Sequence, residues 1–88
     1  MRIASILRAN TGWAGRLVGW VRTVRVHKTH SFIDIDDGSG SIQVLSNHNV
    51  EGLLTGASVS VDGVLVEGPR QREIHAEKIE LIGGSDGV

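Results

Sequence analysis

Apolar and polar residues alternate with period two over much of this chain, and residues 31–36 set the phase. In Ser-Phe-Ile-Asp-Ile-Asp, Ile33 and Ile35 fall on one side, and Phe32, Asp34 and Asp36 on the other. Strict alternation predicts a half-buried strand, because successive side chains point to opposite faces. Asp37-Gly38-Ser39-Gly40 has the composition of a hairpin turn. The return strand sets Ile42 and Val44 opposite Gln43 and Leu45. With Ile33, Ile35, Ile42 and Val44 on a core, Phe32 and Gln43 share the wetter face. Two readings of Phe32 stand at this point. An exposed ring on a sheet face stacks unpaired nucleic-acid bases; a ring under a loop or along an arginine stem simply packs.

The same pattern organises the flanks. Residues 16–26 are rich in β-branched side chains, with Arg16, Arg22 and Arg25 among them, and predict a long first strand. Gly19 inside it marks a bulge or bend, which lets one strand pair in both halves of a small barrel. Trp20 reads as a core residue, with a stacking platform as the alternative. Residues 2–9 place Ile3, Ile6 and Leu7 at helical spacing, ending near Asn10-Thr11-Gly12. Trp13 then covers an open end of the barrel or marks a contact with a further domain.

Residues 47–56 hold Val50, Leu53 and Leu54 and predict a short helix, capped by Asn47 or Asn49 and stopped by Gly56. Residues 58–66 form a fourth strand, in which Gly63 is a bulge because Val64-Leu65-Val66 continues it. A loop, Glu67-Gly68-Pro69-Arg70-Gln71, leads to a last strand over 72–81, with Glu73 and His75 on one side and Ile74 and Ala76 on the other. The fold class is all-β with small helices added. Residues 1–83 form the domain and 84–88 a linker stub, as expected of a piece of a longer protein.

With 88 residues, the chain makes one small domain with a single core. The sequence has no cysteine, so neither disulfides nor thiolate metal sites hold it. No run of ~20 apolar residues is present, and the N-terminus lacks an apolar signal segment. Net charge is −1, but its distribution is uneven: residues 1–30 carry Arg2, Arg8, Arg16, Arg22, Arg25 and Lys28 without one acidic residue. That asymmetry predicts a basic side built from the first strand and the loop after it.

No catalytic constellation emerges. His27 and His30 are three apart without a third ligand of suitable type, so no metal site is expected. Asp34, Asp36 and Asp37 read as solvated turn acids before they read as a cation site. No cofactor is expected, and no enzymatic activity of these residues alone.

Gly19-Trp20-Val21-Arg22, Arg25, Phe32, Asp37-Gly38-Ser39 and Ile42-Gln43-Val44 together resemble the anticodon-binding domain of class IIb aminoacyl-tRNA synthetases, the asparaginyl, aspartyl and lysyl group. The resemblance continues through Gly63 and Glu73 to Ala76 and covers nearly the whole chain. It is closest to the asparaginyl type. The span between Phe32 and Gln43 has a more nearly aspartyl length, and Val24 replaces a basic residue common there. The resemblance implies an OB-fold, a five-stranded Greek-key barrel with a helix between strands three and four.

It also implies that Phe32 stacks on the central anticodon base, that Gln43 and Glu73 read base edges, and that Arg25 contacts the same loop. An amide has both a donor and an acceptor for a uracil edge, whereas an ionised carboxylate only accepts. Arg22, Lys28 and Arg70 are the expected backbone contacts. The implied partner is tRNA-Asn or tRNA-Asp. The implied parent is an ATP-dependent ligase of the cytoplasm or an organellar matrix, homodimeric through a catalytic domain outside these residues. A general single-strand-binding module and a scaffold domain without nucleic acid are the alternatives.

Overall fold

The computed structural model describes residues 1–47 and 55–83. Its elements are α1 (Ile3–Ile6), β1 (Ala14–Val26), β2 (Ser31–Asp36), β3 (Ser41–Ser46), β4 (Ser58–Glu67) and β5 (Arg72–Gly83). The strands close into a barrel in the order β1-β2-β3-β5-β4, and β4 returns to β1. All neighbours are antiparallel except β3 and β5, which run parallel. This is the five-stranded barrel that the resemblance implied. The helix expected over 47–56 falls mainly on residues 48–54, and the linker stub on 84–88; both lie outside the described residues.

The alternation expected for β2 and β3 is what builds the core. Ile33, Ile35, Ile42 and Val44 are all buried. They meet Leu17 and Val21 from β1, Val59, Val61 and Leu65 from β4, and Ile74 from β5. Burying each such side chain contributes roughly 1.5–3 kcal/mol, so these inward residues together outweigh any single surface contact.

α1 adds Ile3 and Ile6 to the same core. Its first turn is capped by the β2–β3 hairpin and not by its own N-cap residue, Arg2. The Ile3 N–H donates to Asp37 Oδ2 at 2.8 Å, and the Ala4 N–H to Ser39 Oγ at 3.1 Å. The Asp37 carboxyl therefore has a structural task. Partial burial pushes its pKa up, but the Ser39 hydroxyl and the N–H groups of Ile3, Ser39 and Gly40 together hold it below the usual carboxylate range. At the other end of this segment, Arg72 donates to the carbonyls of Leu7, at 3.1 Å, and Ala9.

β1 serves both halves of the barrel. Residues 14–20 pair with β4 and residues 20–26 with β2. Gly19 sits at this handover, and the reason for glycine is close approach. A Cβ there would lie 2.5 Å from the Asp36 carbonyl oxygen and 2.8 Å from Ile35 Cγ2. The irregularity expected at Gly19 comes later, between Val21 and Thr23. It resets the phase: Leu17, Gly19 and Val21 point inward, then Val24 turns toward the core.

Trp20 is therefore not a core residue. It follows an inward glycine, faces outward and is 43% exposed. Trp13 is half-buried against the core. The break expected at Gly63 is present between Asp62 and Gly63, and the extra residue is Glu77 on the facing strand β5.

Candidate nucleic-acid interface

Strand register brings outward residues of β1, β2, β3 and β5 onto one face, in two neighbouring cross-strand rows, Arg25–Phe32–Leu45 and Asp34–Gln43–Glu73. Arg25 is paired with Phe32 across β1 and β2, and Gln43 with Glu73 across the parallel pair. Paired residues project on the same face of a sheet. The loop between β4 and β5 borders this face, and the two together line a cleft of about 510 Å³. Arg25, Phe32, Gln43 and Glu73 line it from the strands; Pro69, Arg70 and Gln71 line it from the loop.

Gly68 lets that loop approach. Its N–H donates to the Gln71 carbonyl at 2.9 Å, closing a tight turn. A Cβ on Gly68 would stand 2.5 Å from that oxygen and 3.1 Å from Glu73 Oε1.

The polar groups of the cleft form one chain. Arg25 Nη2 donates to Gln43 Oε1 at 3.0 Å, and Gln43 Nε2 donates to Glu73 Oε2 at 2.8 Å. Gln71 Nε2 also donates to Gln43 Oε1, at 3.2 Å. Glu73 is buried, and its second oxygen lies 3.3 Å from His75 Nε2. The cations near it along β5 pair with other carboxylates: Arg72 with Glu67 at 3.2 Å, and Lys78 with Glu80 at 2.8 Å.

Phe32 is half-buried among polar and aromatic neighbours. The Arg25 guanidinium carbon lies 5.4 Å from its ring centroid, within cation–π range. His27 and His30 are stacked on each other at 5.3 Å, and both stand perpendicular to the Phe32 ring at 5.6 and 5.1 Å.

The basic side expected from the sequence is narrower than its arginine count. Arg16 binds Asp62 through Nε at 2.8 Å and Nη2 at 3.2 Å. That hydrogen bond lowers the Asp62 pKa and raises that of Arg16. Arg22 pairs with Asp36 at 3.2 Å and does not line the cleft. Among the described residues, Arg25, Lys28 and Arg70 form no ion pair. Lys28 is exposed in the β1–β2 loop beside His27. The structure thus brings together Arg25, Phe32, Gln43, Glu73 and Arg70, and leaves Arg22 and Lys28 outside the cleft. It adds Gln71, from the 67–71 loop that the resemblance sets beside the cleft, a residue to which the sequence assigned no role of its own.

The turn acids are occupied as well. Asp34 accepts from Thr23 Oγ1 at 2.5 Å, Asp36 from Arg22 and the Gly38 N–H, and Asp37 from the first turn of α1.

A family model described as an OB-fold nucleic acid binding domain, of the tRNA anti-codon type, matches residues 16–82. The chain belongs to the tRNA anti-codon OB-fold family. This OB-fold chain is 44% identical to asparagine–tRNA ligase from Nostoc sp., over 97% of its own length and 21% of that protein. It is 38% identical to the Geobacter sulfurreducens ligase, with 98% and 21% covered, and 38% identical to human asparaginyl-tRNA synthetase, with 81% and 16% covered. It spans about one fifth of these relatives. Among solved structures it resembles asparaginyl-tRNA synthetase from Pyrococcus horikoshii complexed with asparaginyl-adenylate. There the TM-score is 0.81 at 27% identity, over 96% of this chain and 22% of that one. A replication protein A heterotrimer bound to single-stranded DNA aligns with a TM-score of 0.73 at 23% identity, a likeness of fold alone.

Proposed function

We propose that this OB-fold domain holds the anticodon loop of a tRNA, with tRNA-Asn as its partner. The observation that carries the reading is the convergence of a half-buried ring, an amide–carboxylate pair and cations without ion-pair partners in one cleft. Phe32 offers a stacking surface to an unpaired base, worth roughly 1–3 kcal/mol. Gln43 and Glu73 meet base edges, and Arg25 contacts the same loop. Arg70 and Lys28 attract the phosphates. Arg22 would join them by exchanging Asp36 for a phosphate oxygen. The names of the relatives favour asparagine over aspartate.

The reading requires no cofactor and assigns no catalysis to these residues. A parent protein built like the relatives would be an ATP-dependent aminoacyl-tRNA ligase, its chemistry in the remaining four fifths. It would be homodimeric through that part and reside in the cytoplasm or an organellar matrix.

The test is a titration of labelled stem-loops carrying the asparagine, aspartate and lysine anticodons, with a scrambled loop as control. The asparagine loop is expected to bind best, and Phe32→Ala to lose that preference while stability changes by less than about 1 kcal/mol, since the ring is outside the core. Equal binding of all loops would replace the reading with a sequence-tolerant single-strand module. No binding at low salt would remove nucleic acid from the account.

A further inference from the structure

The hydrogen-bond polarity of the cleft is fixed by its two charged ends. Gln43 lies between Arg25, which only donates, and Glu73, which as a carboxylate only accepts. Its amide therefore has one workable orientation, with Oε1 toward the guanidinium and Nε2 toward the carboxylate. That orientation dictates the next group along. Gln71 reaches the same Oε1, so it must present its amide N–H there. Its own carbonyl oxygen is left without a partner among the described residues, on an exposed side chain in the cleft lining.

A consequence follows for base reading. Gln43 Oε1 already accepts two hydrogen bonds, one for each lone pair, so Gln43 can offer a base only its second N–H. The Glu73 oxygens face Gln43 and His75. Arg25 and Arg70 can only donate. Among the described side chains that line the cleft, the amide acceptor without a partner is Gln71 Oε1. A base edge carries N–H donors as well as acceptors; Glu73, the other side-chain acceptor of the cleft, is buried with both oxygens engaged, which leaves the exposed Gln71 Oε1 to match such a donor.

We infer that Gln71 is a specificity-determining residue whose Oε1 accepts from an N–H on the edge of the base stacked on Phe32. The inference rests on the reading that the cleft holds an unpaired base. It divides the recognition of that base between two amides, with Gln43 donating and Gln71 accepting.

The test uses the full chain and stem-loops that differ only at the central anticodon base. Uridine is compared with 3-methyluridine, which lacks the imino N–H, and cytidine with N4,N4-dimethylcytidine, which lacks the amino N–H. Each pair is titrated against the unaltered domain and Gln71→Met, which keeps the side-chain length and removes the amide. The unaltered domain is expected to bind the methylated form of its preferred base about tenfold more weakly. Gln71→Met should bind the two forms within about twofold of each other, with the salt dependence unchanged, because no phosphate contact is lost. Discrimination by Gln71→Met as strong as that of the unaltered domain would overturn the inference and show steric exclusion instead. Equal binding of methylated and unmethylated loops by the unaltered domain would overturn it too, while leaving anticodon binding in place. Failure of the unaltered domain to bind any loop would remove the proposed function itself, and this inference with it.

Discussion

Arg16 and Arg25 stand on the two halves of β1 and meet opposite surroundings. Arg16 lies in the half that pairs with β4, directly across from Asp62, and grips its carboxylate with two nitrogens. Arg25 lies in the half that pairs with β2, across from Phe32, and donates to the neutral amide of Gln43. Both are exposed. A guanidinium matched to a carboxylate presents little net field, whereas one bonded to an amide keeps its full charge for an arriving anion. The charge available to a ligand is thus set by what the neighbouring strand places opposite, and less by how many arginines the strand carries.

The largest expected effect comes from breaking the handover that makes two halves possible. Gly19→Ala drives a Cβ against the Asp36 carbonyl and Ile35. A loss of about 3 kcal/mol is expected, from overpacking against backbone that cannot swing aside; equilibrium denaturation would measure it. Next comes the contrast itself. Arg25→Ala should weaken stem-loop binding about tenfold, while Arg16→Ala should stay within about twofold, with stability changed by less than about 1 kcal/mol in both. Equal losses of affinity would end the distinction between the two halves. Smaller still is Gly68→Ala, which opens the turn closed on the Gln71 carbonyl and pushes the β4–β5 loop away from Glu73. Binding is expected to fall about fivefold by displacement of the lining groups, while the melting temperature falls less than for Gly19→Ala.

The sequence made one face of this comparison readable and hid much of the other. Strict alternation in β2 and β3 placed Ile33 and Ile35 inside and set Phe32 beside Gln43, because a half-buried strand leaves no second solution. Leu17-Val18-Gly19-Trp20-Val21 is apolar in both phases apart from its glycine, so residue type suggested a buried Trp20 where register put it outside. The phase reset between Val21 and Thr23 has no signature in residue type; it separates Arg22 from the cleft that Arg25 enters. The part that Gln71 plays within its loop was hidden for another reason. Its position depends on the turn closed by Gly68 and on the parallel pairing of β3 with β5, which joins segments far apart in the chain. The resemblance to anticodon-binding domains named Gln43 and Glu73, and only the geometry shows how their bonds to Arg25 and Gln71 constrain what they can read.

The smallest effect concerns two carboxylates with lowered pKa values. Asp62 is lowered by Arg16, and Asp37 by the Ser39 hydroxyl and backbone N–H groups acting against partial burial. A carboxyl whose folded pKa is depressed stabilises the fold while ionised. That contribution is fully present above the unfolded value of about 4 and is lost as pH falls through the folded value. Melting curves of the unaltered domain, Asp37→Asn and Asp62→Asn from neutral to acid pH would separate the two. Asp37→Asn is expected to melt a few degrees lower at neutral pH, and the gap to narrow below about pH 4 and close as pH falls through the lowered folded value, where the unaltered side chain becomes neutral as well. The gap should persist in high salt, because its partners are uncharged N–H and hydroxyl groups around a partly buried side chain. Asp62→Asn should show a smaller gap that salt removes, since exposed ion pairs are screened. A salt-resistant gap at Asp62 would mean that the Arg16 half of β1 holds its charge pair as firmly as the hairpin holds α1, and that Arg16 could not be drawn toward a phosphate even at high ionic strength.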